Sequence, residues 1–297
     1  MNKRTLAILA AIGATTIYGI NHTIAKGVMP TYVKPFGFIM LRVVGAAALF
    51  WIFSLFAPKE KIEKKDWLRV LVCAVLGMVI NMLAFFKGLQ LSTPINSAVL
   101  ITITPIIVVI LSALFLNERI TLNKGFGILM GFAGAVALIL FGAEIRSDAP
   151  NIPLGNFLFI VNSASYGAYL IVAKTLIEKY HPFTLMRWLF TIALIINFPI
   201  TLPEFLEIQW STMPLWVYGS IAFVVIGTTF LTYLFNVFAL TQLKASTVGA
   251  FVYLQPLFGI FFALFSGKDQ LTLVKILATC LVLFGVYLSS KKPKPRP

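Results

Sequence analysis

At 297 residues, 59% hydrophobic and only 11% charged, the chain carries less than half the charge of a soluble domain, about 25%. A water-facing surface could not be covered, and the bilayer is the expected solvent. The formal charge of +14 invites a nucleic-acid reading, but the basic residues sit in short loops and the two tails, with no basic face on a soluble domain; that is the topology signal of a membrane protein.

Lys3 and Arg4 before an apolar run resemble the start of a signal peptide. The run continues to about Met29, longer than the ~7–15 residues of a signal h-region, so it reads as a retained first span. A span needs about 20 mainly apolar residues. Ten segments qualify, at 5–28, 35–56, 67–88, 94–116, 124–142, 155–177, 182–203, 214–238, 245–266 and 273–289. Pro30, Pro35, Pro94, Pro150, Pro153, Pro182 and Pro214 fall near span edges, where a missing N–H costs little. Cys73 and Cys280 lie inside apolar runs, offer neither metal spacing nor a disulfide framework, and read as small packing residues.

Orientation follows from Lys and Arg. With the N-terminus in the cytoplasm, fifteen of the 24 basic residues fall on inner segments and six at outer ends, leaving Arg42, Lys174 and Arg187 inside spans. That asymmetry predicts both termini on the cytoplasmic side. Trp51, Trp67, Trp210 and Trp216 sit near predicted span ends, where an aromatic belt would place them.

The chain contains one pattern twice. The stretch from Thr104-Pro105 through Glu118 and Thr121-Leu122 aligns without a gap on Gln255-Pro256 through Asp269 and Thr272-Leu273, 151 residues on, and Gly134 meets Gly285 at the same offset. Tyr18-Gly19 and Ala25-Lys26 match Tyr166-Gly167 and Ala173-Lys174 at an offset of 148, Pro35-Phe36 matches Pro182-Phe183, and Arg42 lies near Arg187 once a small gap is allowed. A period near half the chain length decides the fold. Five spans per half is an odd number, so the second half enters the membrane upside down. Inverted repeats are a recurring plan of secondary transporters, because two mirror-like halves can exchange conformations around a central site.

These stretches, Leu100-Ile-Thr-Ile-Thr-Pro105 to Asn117-Glu-Arg-Ile-Thr-Leu122 and Tyr253-Leu-Gln-Pro256 to Lys268-Asp-Gln-Leu-Thr-Leu273, resemble the EamA branch of the drug/metabolite transporter superfamily. The likeness implies an all-α membrane protein of ten transmembrane helices, built as two inverted five-helix repeats over 5–142 and 155–289. Asp269-Gln270 departs from the family's usual Glu-Arg, which puts an ion pair or cap at that turn in question. The face Gly127-Ile-Leu-Met-Gly131 lets backbones approach closely; a contact within the chain is preferred to a dimer contact, and monomer or homodimer stays open.

Charge inside a span is expensive and is a functional hypothesis by default. Every charged residue inside a span is basic, and all ten acidic residues fall in loops or at span ends. A proton antiporter for lipophilic cations usually needs a buried carboxylate; a basic cavity favours a carboxylate, a phosphate or a zwitterion. Lys26 and Lys174 occupy matching positions and read either as snorkelling to headgroups or as gate or solute-anion contacts. Lys87 reads as interfacial. Arg42 and Arg187 read as structural, bonding to nearby carbonyls or headgroups. Asn21 and His22 form the sharpest polar pair, one turn before Lys26, and His22 is the one plausible proton-carrying side chain in a span. Asn162, Tyr166 and Tyr169 lie in the matching region of the sixth span. The resemblance places the first, third, fourth, sixth, eighth and ninth spans around a cavity, which adds Asn81, Gln90, Asn96, Thr104, Tyr233, Asn236, Tyr253 and Gln255.

Nucleotide loops of the Walker type, hydrolytic triads and metal clusters are missing from the sequence, so no enzyme and no cofactor is expected. The reading is a secondary-active transporter of the cell inner membrane, working by alternating access on small solutes, amino acids or other carboxylate-bearing metabolites by resemblance, with export preferred. A lipophilic-cation exporter, a channel and a non-transporting membrane scaffold are the alternatives.

Overall fold

The computed structural model describes residues 3–115, 122–141, 148–242 and 254–290, and among them every regular element is a helix. In chain order these are α1 (Lys3–Val28), α2 (Pro35–Ser54), α3 (Trp67–Ala74), α4 (Asn81–Leu91), α5 (Pro94–Ile101), α6 (Thr104–Phe115), α7 (Leu122–Phe141), α8 (Ile152–Lys179), α9 (Pro182–Leu206), α10 (Leu215–Ala222), α11 (Thr232–Gln242), α12 (Gln255–Phe265) and α13 (Leu273–Ser290). Among the described residues, six continuous helical stretches are long and apolar enough to cross a membrane: Lys3–Val28, Pro35–Ser54, Lys64–Leu91, Ile152–Ala173, Pro182–Leu206 and Leu215–Asn236. Gly125–Gly134 and Leu273–Gly285 are shorter apolar helices.

Prolines start the helices where the sequence leads one to expect. Pro35, Pro94 and Pro182 open α2, α5 and α9, at the position where the missing N–H has no partner to lose. Thr93 caps α5 by accepting from Asn96 N at 3.2 Å, and Asn151 caps α8 by accepting from Leu154 N at 3.1 Å, the ordinary role of these side chains at an N-cap.

The expected fourth span is not one helix. It breaks between α5 and α6 at Thr102–Ile103. Pro105 has no N–H to offer the Ile101 carbonyl four residues back. The Thr104 hydroxyl donates to that carbonyl at 2.7 Å, and the Thr102 hydroxyl to Val99 O at 2.6 Å, so these two carbonyls at the break keep donors in apolar surroundings. The matching start of the expected ninth span, 245–253, lies outside the described residues, as do Glu118 and Thr121.

Two π-helical segments interrupt long helices. Val75–Ile80 joins α3 to α4, and Phe223–Leu231 joins α10 to α11. Their first residues are 148 apart, the offset that relates Tyr18 to Tyr166. Helix contacts follow a paired pattern. α1 packs on α11 and α12, while α8 packs on α4 and on α5 and α6; α2 packs on α9, and α7 on α13.

The α7–α13 contact is backbone to backbone. A Cβ at Gly285 would stand 2.5 Å from Gly131 N and 2.6 Å from Gly127 O, and one at Gly134 would stand 2.8 Å from Ala278 O. The Gly127–Gly131 face is therefore filled from within the chain. Of the cysteines, Cys73 is buried as expected, whereas Cys280 is exposed on α13; the apolar run containing it has an outward side that hydropathy does not reveal.

The connections fall at two opposite ends of the bundle. At the end holding the start of α1, the 57–66 connection meets residues 179–181. Lys179 donates to Asp66 Oδ2 at 2.6 Å and pairs with Glu63 Oε1 at 2.7 Å, while the Tyr180 hydroxyl donates to Asp66 Oδ2 at 2.7 Å. The bonds to Asp66 and then Glu63 hold the Lys179 ammonium well above its ordinary 10.5. Lys179 first, then Lys65, hold Glu63 below its ordinary 4.5. At the other end Lys34 pairs with Glu207, Glu204 Oε2 accepts from Phe36 N at 2.6 Å, and Tyr32 meets Trp216 edge-on at 5.4 Å.

Candidate functional site

α1 contributes a polar line to an otherwise apolar bundle. Tyr18, Asn21, His22 and Lys26 follow one another toward its C-terminal end, and Asn21, His22 and Lys26 are all buried. At 1.5 Å per residue, Tyr18 lies about 15 Å from that end and Lys26 about 3 Å. The line therefore runs from the middle of the bundle to one face.

The face end is a lock between helices. Lys26 Nζ donates to Leu89 O at 2.8 Å, Gln90 O at 2.9 Å and Asp148 O at 2.5 Å. Two of these carbonyls belong to the last turn of α4, where unpaired acceptors and the negative end of the helix dipole favour a cation. Gln90 directs its side chain elsewhere, accepting from Lys87 at 2.7 Å. Beside it Ser92 donates to Asn156 Oδ1 at 2.6 Å, and Asn96 Nδ2 donates to the same oxygen at 3.2 Å. Here α4 and α8 nearly touch: a Cβ at Gly155 would stand 2.8 Å from Gly88 O. Asp269 completes the lock. Its Oδ2 accepts from Ile95 N at 3.1 Å and its Oδ1 from Lys275 Nζ at 3.0 Å. The ion pair and cap that Asp269-Gln270 put in question are both present, with Lys275 as the cation. Lys275, counted by position as an outer-end charge, is fully buried.

The central end joins different helices. Asn21 Oδ1 accepts from Thr228 Oγ1 at 3.1 Å. His22 Nδ1 shares a 2.7 Å hydrogen bond with Ser97 Oγ and meets the Phe85 ring edge-on at 5.6 Å. Asn81 and Asn162 exchange bonds across α4 and α8, Asn162 Nδ2 to Asn81 O at 2.8 Å and Asn81 Nδ2 to Asn162 O at 3.4 Å. Tyr166 and Tyr169 lie 5.6 Å apart by ring centroid, with Tyr169 against Gly77 of the first π segment. Tyr233 packs edge-on to Phe190 at 5.8 Å and lines a cavity of about 120 Å³ with Phe50, His181 and Phe183. Thr104 serves the α5–α6 break, Asn236 is half-buried on α11, and Gln255 is buried with its carbonyl against Gly19. Tyr253 and the side chain of Lys174 lie outside the described residues.

Composition gave no reason to single out Ser97, Asn156 or Thr228, yet each is the partner of a predicted residue. Arg42 was expected to bond to carbonyls or headgroups. Instead its Nε donates to the Thr229 hydroxyl at 2.6 Å in the second π segment. Arg187 stays near the end of the bundle that holds the 57–66 connection, 4.9 Å over the Trp51 ring, donating to Ser54 Oγ at 3.3 Å and Glu60 O at 3.4 Å. The two arginines are not equivalent. The residue 147 after Arg42 is Leu189, so Arg187 stands two positions away, a turn of about 200° around the helix.

A bundle of apolar helices with polar residues bonded across its interior is the construction of a multi-pass membrane protein. The EamA-like transporter family matches residues 5–140 and 153–291, and the chain belongs to that family. Among its relatives, an uncharacterized transporter of Archaeoglobus fulgidus is 28% identical over 277 residues, covering 93% of this chain and 96% of that one. The uncharacterized transporter YyaM of Bacillus subtilis is 22% identical, covering 94% and 92%. The uncharacterized inner membrane transporter YhbE of Escherichia coli is 22% identical, covering 96% and 91%. A protein of known crystal structure superposes with a TM-score of 0.61 at 17% identity over 95% of each chain, a likeness of fold. The chain is thus a membrane transporter of small solutes.

Proposed function

We propose that the protein is a secondary-active transporter of the inner membrane that exports small carboxylate-bearing or zwitterionic metabolites by alternating access. Its ten spans form two inverted five-helix repeats, 5–142 and 155–289, with both termini cytoplasmic. The observation that carries this reading is the paired packing. The contacts of α1 with α11 and α12 have counterparts in those of α8 with α4 and with α5 and α6, and the two π segments begin 148 residues apart. Two halves packed this way can rock against each other about the polar residues between them. Asn21, His22, Asn81, Asn162, Tyr166, Tyr169, Tyr233, Asn236, Tyr253 and Gln255 line the solute path. Lys26, Gln90, Asn96 and Thr104 belong to its closure at one face, and Lys174 is the counterpart of Lys26 at the other. The solute class follows from charge: the buried acids Asp66 and Asp269 stand at helix ends with lysine partners, whereas a buried arginine stands among the central residues.

The test is a thermal-shift screen of the purified protein in detergent against amino acids, organic acids, phosphorylated metabolites and lipophilic cations. A ligand that binds the folded state raises its apparent stability by mass action. Carboxylates or zwitterions are expected to raise the melting temperature and then to be taken up by proteoliposomes with saturation. A response to lipophilic cations alone replaces the solute class with that of a drug exporter.

A further inference from the structure

Arg42 enters the bundle from α2, about 10 Å from the helix start at Pro35, at about the depth of Asn21. It is 8% exposed. The Thr229 hydroxyl oxygen accepts a hydrogen bond from its Nε–H and is itself anchored: the hydroxyl donates to Val224 O, five residues back, at 3.1 Å, within the π segment. The Phe86 ring covers the guanidinium, with Arg42 Cζ 5.6 Å from its centroid. Tyr18 and Tyr233 lie close enough to act on its charge.

No carboxylate within ion-pair distance and no acceptor for either Nη is found for Arg42 among the described residues. Neither Nη counts among the fully enclosed polar atoms without a partner, so both touch open space. A buried charge normally has a partner of opposite sign, and a guanidinium with two Nη groups free offers the planar fork that matches a carboxylate. The other buried cations differ. Lys26 is held by three carbonyls and Lys275 by Asp269.

We infer that Arg42 is the residue that takes the carboxylate of the transported solute, its two Nη groups closing on the two oxygens. This rests on the carboxylate-transporter reading above and names the group that performs the recognition. The Thr229 bond fixes the fork's orientation, and Phe86 keeps water from one face of it. The phenols of Tyr18 and Tyr233 supply donors beside it for the rest of the solute. Because Leu189 occupies the repeat-related position, only one half of the molecule supplies this charge.

The experiment uses the purified full-length protein and a fixed panel: the twenty amino acids, acetate, lactate, succinate and citrate, with acetamide, lactamide and succinamide as neutral counterparts. Thermal shift and calorimetric titration are expected to find a carboxylate that binds while its amide does not. Arg42→Gln weakens that binding about ten- to a hundred-fold, as loss of a hydrogen bond to a charged group does. Arg42→Lys falls between the two, and Arg187→Gln binds as the wild type does. Equal affinity in wild type and Arg42→Gln overturns the assignment and leaves the transporter reading standing. Silence across the carboxylates overturns the assignment together with the solute class. Should Arg42→Gln fail to fold, phenylglyoxal labelling of the wild type decides, read by peptide mass. The bound carboxylate must slow modification of Arg42 and spare that of Arg187; equal slowing, or none, rejects the assignment.

Discussion

Asp269 and Lys275 form an ion pair at 3.0 Å with both side chains fully buried, and the same carboxylate accepts the Ile95 N–H in the first turn of α5. One acid thus satisfies a buried cation and an otherwise orphaned helix N-terminus, and ties the connection before α13 to the start of α5. Asp269→Asn keeps the shape and strips the charge, leaving the Lys275 ammonium buried. Breaking a buried pair from one side costs about 3–5 kcal/mol, so the melting temperature in detergent drops sharply. Adding Lys275→Met recovers part of the loss. A loss below about 1 kcal/mol, as for an exposed pair, refutes the burial argument.

Gly285 and Gly219 give a contrast of sign. Ala at 285 drives a methyl into the backbone of Gly131 and Gly127, whereas nothing lies within 4 Å of a Cβ at Gly219. Overpacking costs about 1–3 kcal/mol, while Gly to Ala in an open helix position gains about 0.5–1 kcal/mol. Gly285→Ala therefore melts lower than wild type and Gly219→Ala no lower. Equal melting temperatures would show that α7 and α13 are free to separate.

Lys26→Met removes the donor from three carbonyls at once. Since that ammonium is committed to the protein, the variant is expected to lose stability and to transport carboxylates and neutral analogues less well by the same factor. Proteoliposome uptake of both kinds measures this. A loss confined to carboxylates would move Lys26 from the closure to the solute.

The Lys179 cluster sets a pH window. Glu63 is held below its ordinary 4.5, so its contribution to stability is complete above about that pH and is lost as pH falls through the depressed folded value. Lys179, raised above 10.5, contributes fully below that pH and loses its contribution as pH rises through the elevated one. Between these limits the cluster is insensitive to pH. Lys179→Met then destabilises most at neutral pH, and its stability curve meets the wild type's at strongly acid pH. Added salt narrows the gap, because Glu63 is half-exposed and screened. Parallel curves down to pH 3 would exclude the pairing.

The helices were legible because bilayer spans write themselves as runs of apolar residues, and the α5–α6 break was foreshadowed by Thr104-Pro105. The partners were not. Ser97 lies 75 residues from His22, Asn156 lies 60 from Asn96, and Thr228 lies 207 from Asn21. Each is one small polar residue in an apolar run, with no local mark of the helix it will face. The Asp269–Lys275 pair left a trace in the repeat, since Glu118 and Lys124 stand 151 residues earlier. Arg42 and Arg187 look alike in the sequence only once a gap is allowed, and a two-residue shift around a helix of about 200° gives the two different surroundings.

The π segment at Phe223–Leu231 has a bearing on how this chain tolerates length change. A π turn is the mark of one surplus residue accommodated in an α-helix. Removing one residue from an unbroken helix such as α8 turns everything beyond it by about 100° and draws it back by about 1.5 Å. Removing one here would let the rod regularise with its two ends still in phase, and Thr232 and Tyr233 would keep their side of α1. In this stretch a one-residue deletion is less damaging than the same deletion in α8, because the surplus residue absorbs the loss.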